Sequence, residues 1–167
     1  MSEIIKDLHS KRMRDLIEYT STSLMTPYPS PFGASIYNSE GELIAQAYDT
    51  VIKNGDPTCH GEVNAIRKAV KKIGNRSLKG CALYSTCEPC PMCMATSIWA
   101  EIDVVVFGAT AKEDANLYWK QPLDVTAKEL ASRMLCKQKC IVIPQIERAL
   151  SQKLFKSWKL AMDALKA

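Results

Sequence analysis

Four side chains suited to metal binding and proton transfer stand in two short motifs of the chain. His60 and Glu62 form a His-x-Glu pair, and Cys90 and Cys93 form a Cys-x-x-Cys pair that follows Pro89. Zn²⁺ prefers imidazole and thiolate ligands, and a catalytic zinc site takes three of them from the protein and leaves a fourth position for water. His60, Cys90 and Cys93 supply that number. The spacing therefore predicts a Zn²⁺ site with one open position.

The placement of both motifs at predicted helix starts suits this chemistry. The unpaired N–H groups and the positive dipole end of a helix N-terminus stabilise thiolates. A zinc ion with two thiolates and one neutral imidazole has no net charge, so it acidifies its water less than a three-histidine site does. Such a site needs a base beside the metal. We predict that Glu62 takes a proton from that water and passes it on.

Other interpretations of the cysteines stay open at this point. A Cys-x-x-Cys pair is also typical of redox proteins, and together with Cys87 it resembles the start of a ferredoxin cluster run, although the fourth cysteine of that run is missing here. A closed structural zinc site would need a fourth ligand, for which Cys59 and Cys87 are the candidates. A redox pair gives no reason for the His-x-Glu motif. We interpret the remaining cysteines as small buried apolar side chains: Cys81, Cys136 and Cys140.

Length and composition predict a single domain over residues 1–167. Of the 167 residues, 47% are hydrophobic and 24% are charged, which suffices for one core and leaves little for a second. The apolar runs are far shorter than the roughly 20 residues of a membrane span. The N-terminus lacks the charged and apolar regions of a secretory signal, and the seven cysteines are clustered rather than spread as a disulfide framework. We therefore expect a cytoplasmic protein with no membrane contact.

The net charge of +4 is unevenly distributed along the chain. From residue 128 to the end there are nine Lys or Arg against three Asp or Glu, so the remainder is slightly acidic. A basic C-terminal helix can meet RNA phosphates, but a solvated lysine-rich face is the commoner origin of such a pattern. RNA therefore stays an alternative partner, behind a small molecule.

Hydrophobic periodicity predicts an α/β fold that would position the two motifs. The order of elements changes from a helix and an antiparallel hairpin to alternating helices and strands, which favours a central five-stranded sheet covered by helices. The predicted helices span residues 3–24, 60–73, 89–100, 126–135 and 146–165, and the predicted strands span 32–37, 42–51, 81–85, 103–107 and 140–143.

The combination of His-x-Glu with Pro-Cys-x-x-Cys is the signature of zinc nucleobase deaminases, and the chain resembles the cytidine deaminase superfamily over roughly residues 5–165. The resemblance implies a three-layer α-β-α fold with a mixed five-stranded sheet. It also implies one Zn²⁺ per chain, attack of water on an amidine-like ring carbon, loss of ammonia and proton transfer by Glu62. The matching stretches are Pro31-Phe32-Gly33-Ala34, Asp56-Pro57-Thr58, Glu62-Val63-Asn64-Ala65-Ile66 and Cys87-Glu88-Pro89-Cys90-Pro91-Met92-Cys93.

The motifs predict the chemistry but not the substrate. The stretches around the zinc ligands are similar to those of bacterial guanine deaminases, so guanine is the first expectation, with other aminated rings as alternatives. tRNA adenosine deaminases, which convert adenosine to inosine, share the zinc motif, but their later loop is rich in histidine where this chain has none. A third hypothesis is a zinc-bearing binding protein without catalysis, against which the presence of Glu62 argues.

Five further residues are candidates for substrate contacts. Asp49 stands eleven residues before the zinc histidine, where these families usually have an asparagine that hydrogen-bonds the base. A carboxylate only accepts hydrogen bonds, so Asp49 favours a ring N–H or an exocyclic amine as its partner. Trp99 is predicted to be either a pocket wall or a core side chain, and Phe32 to support the pocket floor. The resemblance to guanine deaminases also suggests that an acidic side chain meets the purine, for which the candidates are Glu113 and Asp114.

The resemblance carries two expectations about assembly. In guanine deaminases the C-terminal segment can cross to a neighbouring subunit and cover its pocket. For this chain we therefore expect a homodimer in which residues 116–167 pack on, or are exchanged with, a second subunit.

Overall fold

A computed structural model describes residues 2–135 and 139–166. Its centre is a five-stranded sheet in the order β2-β1-β3-β4-β5. The strands are β1 (Gly33–Tyr37), β2 (Leu43–Tyr48), β3 (Ala82–Cys87), β4 (Val104–Ala109) and β5 (Ile141–Ile143), and the α-helices are α1 (Glu3–Ser21), α2 (Val51–Asn54), α3 (Gly61–Ile73), α4 (Pro91–Trp99), α5 (Ala127–Ser132) and α6 (Arg148–Ala164).

The sheet is mixed. The strand β1 pairs antiparallel with both β2 and β3, whereas β3 pairs parallel with β4 and β4 pairs parallel with β5. The two parallel steps are made through helices α4 and α5, as parallel neighbours require a crossover. This topology confirms the predicted α/β fold and mixed five-stranded sheet.

Helices cover both faces of the sheet and create two main apolar cores. On one face, buried side chains of α3 and α4 pack on Ile36, Leu83 and Val105. On the other face, Met13 and Leu16 of α1 pack beneath the sheet with side chains of β3 and β4. Alternate residues of a strand point to opposite faces, so each central strand contributes to both cores. The result is the three-layer arrangement expected from the sequence.

Most element boundaries differ from the prediction by one to three residues, and two segments differ in kind. The second strand ends at Tyr48, and Val51 begins the short helix α2 instead of continuing the strand. The first α-helix ends at Ser21 and continues as a 3₁₀ turn over Thr22–Met25. Within residues 2–135 and 139–166, no helix has the length and apolar character needed to cross a bilayer. Cys136, interpreted above as a buried apolar side chain, lies outside the described residues.

Candidate metal centre

The N-termini of α3 and α4 meet at one edge of the sheet because β1 and β3 run in opposite directions. The start of β1 lies beside the end of β3, with Ala34 opposite Ser85. The helix α4 begins shortly after β3. The helix α3 begins against the start of β1, and a Cβ built on Gly61 would lie 2.8 Å from the carbonyl oxygen of Phe32. His60 and Cys90, the residues that precede the two helices, are thereby brought together.

The three predicted ligands form one compact group. The Nδ1 atom of His60 lies 3.6 Å from Sγ of Cys90 and 3.5 Å from Sγ of Cys93. Tetrahedral zinc with Zn–S bonds of about 2.3 Å and Zn–N bonds of about 2.0 Å places its nitrogen and sulfur ligands roughly 3.5 Å apart. The donor set and its spacing therefore fit Zn²⁺, and Nδ1 is the imidazole atom that would bind it.

The group has three members, which leaves the fourth zinc position open. Among the described residues, His60, Cys90 and Cys93 are the one set of metal-ligating side chains whose donor atoms all lie within 4.8 Å of one another. Cys59 and Cys87 do not join this set. The interpretation as a closed structural site is therefore wrong for this structure. The imidazole beside both sulfurs also distinguishes the site from a simple redox pair.

The ligands influence one another's protonation. A hydrogen bond from Cys93 lowers the pKa of the Cys90 thiol to about 4, against the opposing effect of burial. The hydrogen bond with Cys90 raises the pKa of His60 to about 9. The nearby Cys90 sulfur and burial raise the pKa of Cys93. The Cys90 sulfur is thereby favoured as a thiolate, which is the form that a metal ion binds.

Glu62 stands beside the ligand group without belonging to it. It lies in the first turn of α3, and the residue is 6% exposed. Burial raises the pKa of its carboxyl group, and the Cys90 thiolate raises it further. A raised pKa suits a group that must gain and lose a proton near neutral pH. The hydroxyl of Ser85 donates a hydrogen bond of 3.1 Å to Oε1 of Glu62.

The loop that carries His60 is held by Asn64. Its Nδ2 atom lies 3.2 Å from the carbonyl oxygen of Tyr48, 3.0 Å from Oγ1 of Thr50 and 3.0 Å from the carbonyl oxygen of Cys59. One side chain of α3 therefore connects the end of β2 with the residue before His60. This contact fixes the entry of the chain into α3.

The loops on the other side of the site are held by Thr86 and Glu88. The hydroxyl of Thr86 donates to the carbonyl oxygen of Pro31 at 2.7 Å and accepts from the amide of Gly33 at 3.0 Å. The carboxylate of Glu88 accepts hydrogen bonds from the amides of Ala111 and Ala127, which ties the segment after β4 to the end of β3.

Asp49 and Phe32 both lie next to the start of α3. The amide of Asp49 donates to the carbonyl oxygen of Phe32 at 2.8 Å, and the Asp49 carboxylate accepts from the amide of Val51 at 3.1 Å. Burial raises the pKa of Asp49, while the Val51 amide and His60 oppose that rise. Asp49 also lines a pocket of about 250 Å³ together with Tyr28, Tyr48 and Lys53. The Phe32 ring packs edge-on against Phe155 with their centroids 5.2 Å apart.

Three of the predicted substrate contacts have other surroundings in this structure: Trp99, Glu113 and Asp114. Trp99 is 86% exposed at the end of α4, so it is neither a core side chain nor a pocket wall within one chain. Arg148 of α6 engages both acidic residues, with Nε 2.8 Å from Asp114 and Nη2 2.6 Å from Glu113. Gln152 and Thr110 also donate to Asp114. In this conformation Asp114 joins α6 to the loop after β4, and its substrate role stays a prediction.

Several residues of the site are not predicted by the sequence. Ser85 lies in the middle of a buried strand, and its type gives no sign of the carboxylate it contacts. Asn64 enters only as part of a matching stretch. The signal available for both is a polar residue at a position where helix or strand periodicity calls for an apolar one. The residues missed are Asn64, Ser85, Thr86 and Glu88.

Comparison with known proteins identifies the family. The model of the cytidine and deoxycytidylate deaminase zinc-binding region matches residues 6–109, which include His60, Glu62 and both cysteines of the ligand group. This chain belongs to that family. As a member of the cytidine and deoxycytidylate deaminase family, it has the zinc-binding domain predicted from its motifs, and the group of His60, Cys90 and Cys93 is where zinc would bind.

Relatives of this family member include proteins with different substrates. It is 47% identical over 86 residues to guanine deaminase of Bacillus subtilis strain 168, covering 52% of this chain and 54% of that protein. It is 41% identical over 87 residues to the tRNA-specific adenosine deaminase of Aquifex aeolicus strain VF5, covering 52% of this chain and 57% of that protein. These matches thus span about half the length of each relative.

A solved structure extends the likeness to the whole fold. The X-ray structure of a guanine deaminase from Bacillus subtilis superimposes with a TM-score of 0.63 at 27% identity, covering 96% of this chain and 95% of that chain. The cytidine deaminase-like fold predicted from the sequence is confirmed.

Proposed function

We propose that this protein is a zinc-dependent hydrolytic deaminase of a free nucleobase or a similar aminated ring, with guanine as its first substrate. The observation that carries the proposal is the placement of a buried carboxylate, Glu62, beside three zinc ligands that leave a fourth position open. A structural zinc site needs neither a buried carboxylate beside the metal nor an open fourth position. The reducing environment of the cytoplasm suits its thiolate ligands.

Each residue of the centre has a defined task in this reaction. His60, Cys90 and Cys93 hold the metal, which when bound supplies water activated as a nucleophile. Glu62 accepts one proton from that water, so that hydroxide adds to the ring carbon bearing the amine. Glu62 gives that proton to the ring nitrogen beside this carbon, and it then moves the remaining hydroxyl proton to the departing amine. The carbon–nitrogen bond breaks, ammonia leaves, and the ring keeps the oxygen as a carbonyl group.

Asp49 favours rings that present a hydrogen-bond donor to it. A carboxylate accepts hydrogen bonds and donates none when ionised. Guanine has a ring N–H beside the carbon that bears its amine, whereas the corresponding ring nitrogens of adenine are acceptors. An acceptor near His60 therefore matches a ring N–H or an exocyclic amine, which guanine and other aminated rings both offer. The similarity to the Bacillus subtilis guanine deaminase supports the same substrate.

A tRNA adenosine deaminase is the second candidate, and the basic α6 supports it. Lys153 and Lys156 are both exposed on this helix, and neither forms a salt bridge among the described residues. Lysines on one helix can meet RNA phosphates. The match to the tRNA-specific adenosine deaminase of Aquifex aeolicus agrees with this alternative.

Ammonia release from a panel of substrates tests the proposal. The panel contains guanine, cytosine, adenine, isocytosine and an anticodon stem-loop RNA, with zinc-loaded protein at two salt concentrations. We expect guanine to be the best substrate and its turnover to be nearly independent of salt. Activity on RNA alone, falling steeply as salt rises, would establish the second candidate instead.

The Glu62→Gln variant is the matched control for this assay. We expect it to retain zinc and to lose turnover by about 10²-fold or more, because general acid–base catalysis contributes roughly that much. Zinc content measured by elemental analysis separates loss of the base from loss of the metal. Wild-type protein that holds zinc and releases no ammonia from any ring would instead be a binding protein.

A further inference from the structure

A buried serine lies against the proton-transferring carboxylate. Ser85 of β3 is 2% exposed, and its Oγ lies 3.1 Å from Oε1 of Glu62. Leu83, two residues earlier on the same strand face, belongs to the apolar core beneath α3. In the described part of the chain, the carboxylate of Glu62 is the one hydrogen-bond partner of this hydroxyl. A polar side chain thus occupies a position where the fold alone favours an apolar one.

We propose that Ser85 is a positioning residue that fixes the direction of the Glu62 carboxylate beside the three zinc ligands; this inference rests on the proposed function. A hydroxyl both donates and accepts hydrogen bonds, and its hydrogen rotates freely. In this structure Ser85 donates to Oε1 of Glu62 across 3.1 Å.

Fixing one oxygen also directs the other. With Oε1 held by Ser85, rotation of the carboxylate about its last bond is restricted, and Oε2 keeps a constant direction. Proton transfer depends on such geometry, since the donor and acceptor must come within hydrogen-bond distance in the reacting complex. Among the described residues, the Ser85 hydroxyl hydrogen-bonds Glu62 and none of the three zinc ligands. Its effect therefore acts through Glu62, and we expect its loss to change kcat rather than KM.

A matched pair of substitutions isolates the hydroxyl. Ser85→Thr keeps the hydroxyl and adds a methyl group, whereas Ser85→Val has the shape of the Thr variant without the hydroxyl. We expect the kcat for the best ring of the panel to be about 10-fold to 100-fold lower in the Val variant than in the Thr variant, with KM and zinc content unchanged. Equal kcat values in the two variants would overturn the proposal.

Two alanine variants give the same comparison without added volume. Ser85→Ala should lower kcat as Ser85→Val does. Ser35→Ala is the control: Ser35 is fully buried on the neighbouring strand, but it pairs with Tyr84, which faces the core beneath α1. Ser35→Ala should leave kcat unchanged. An equal loss in both variants would mean that removing any buried serine slows the enzyme, which contradicts a specific role for Ser85.

A measurement that needs no turnover separates this inference from the proposed function. Unfolding free energies of the zinc-loaded protein are measured for Ser85→Ala, Glu62→Ala and the double variant. We expect the cost of Ser85→Ala to fall when Glu62 is absent, and strict additivity would show that the two residues are not coupled. If the wild-type protein releases no ammonia from any ring, the proposed function fails, and this cycle alone decides whether Ser85 holds Glu62.

Discussion

At the scale of single residues, the ligands of the centre follow from side-chain chemistry, whereas substrate preference is predicted to depend on Asp49. Imidazole and thiolate ligands at two helix starts form a zinc site when the fold brings them together. Asp49 departs from the asparagine expected at its position. Its carboxylate lies close enough to His60 for each group to shift the pKa of the other, and it accepts a hydrogen bond from the Val51 amide. The substrate preference should therefore respond to this residue.

The Asp49→Asn substitution should change the order of substrates. The introduced amide would keep an oxygen for the Val51 amide, so the fold is preserved, and it would add a donor that can meet a base carbonyl. We expect the ratio of kcat/KM values across the base panel to change by about 10-fold or more, since a mismatched buried hydrogen bond costs roughly 1–3 kcal/mol. Asp56→Asn is the control, because Asp56 likewise accepts a hydrogen bond from the amide two residues later, that of Thr58, and does not line the pocket that Asp49 lines. Unchanged ratios would remove Asp49 from substrate recognition.

Sequence alone predicted the ligands, the base and the elements that carry them, because these follow from residue types and local periodicity. It did not predict Ser85, whose role depends on a strand and a helix meeting across 23 positions. It also placed Trp99 in a pocket or a core, although that side chain is 86% exposed. At a helix end, an apolar residue has the same sequence pattern whether its side chain lies in a pocket, in the core or in solvent. Only the packed structure distinguishes these settings.

At the scale of elements, the site depends on how firmly the start of α3 is held against the sheet. Asn64 makes that connection through the three oxygen atoms near its amide. We expect Asn64→Ala to lower the free energy of unfolding by about 1–3 kcal/mol, because buried acceptors lose their donor. Its affinity for zinc should fall as well, since His60 follows the freed loop. Chemical unfolding and a zinc titration measure the two effects.

The control for this substitution is Asn75→Ala in the exposed loop after α3. Its side chain accepts one hydrogen bond, from the amide of Ser77, so its loss should cost little. If both asparagine variants behave alike, Asn64 has no special part in holding the centre.

The contact between α1 and the sheet adds a dependence on pH. His9 of α1 is buried, and its Nδ1 lies 2.7 Å from the hydroxyl of Tyr84 on β3. Burial, together with the nearby Arg12, lowers the pKa of His9 below its ordinary 6.5. The unfolded chain therefore binds the proton first as pH falls, so the folded state should lose stability below about pH 6.5.

Unfolding free energies at about pH 7.5 and about pH 5, on either side of the ordinary histidine pKa, test this dependence. The His9→Asn variant, which has no titratable ring, should show a smaller loss of stability between the two values than the wild-type protein. Tyr84 keeps its hydrogen bond from Arg12 in the variant, which limits the change to one contact. Parallel pH curves for the two proteins would assign the acid sensitivity to other groups.

At the scale of the whole molecule, the surface of α4 is unusual for a helix that faces solvent. The helix contains no charged residue, and its exposed end is Trp99. Large exposed apolar side chains on an uncharged helix are typical of protein interfaces. This observation agrees with the homodimer predicted from the resemblance, in which a second copy would cover Trp99.

The Trp99→Lys substitution should therefore separate the subunits. A lysine would place a charge in the centre of the interface and remove its largest apolar side chain, and hot-spot residues of this type often cost about 2 kcal/mol or more. Sedimentation velocity should give a dimer for the wild-type protein and a monomer for the variant, with zinc content unchanged in both. The same change at exposed Ile4 of α1, a helix on the opposite face of the sheet and outside residues 116–167, should leave the dimer intact. A wild-type monomer at micromolar concentration, or a dimer that survives Trp99→Lys, would place the interface elsewhere or remove it.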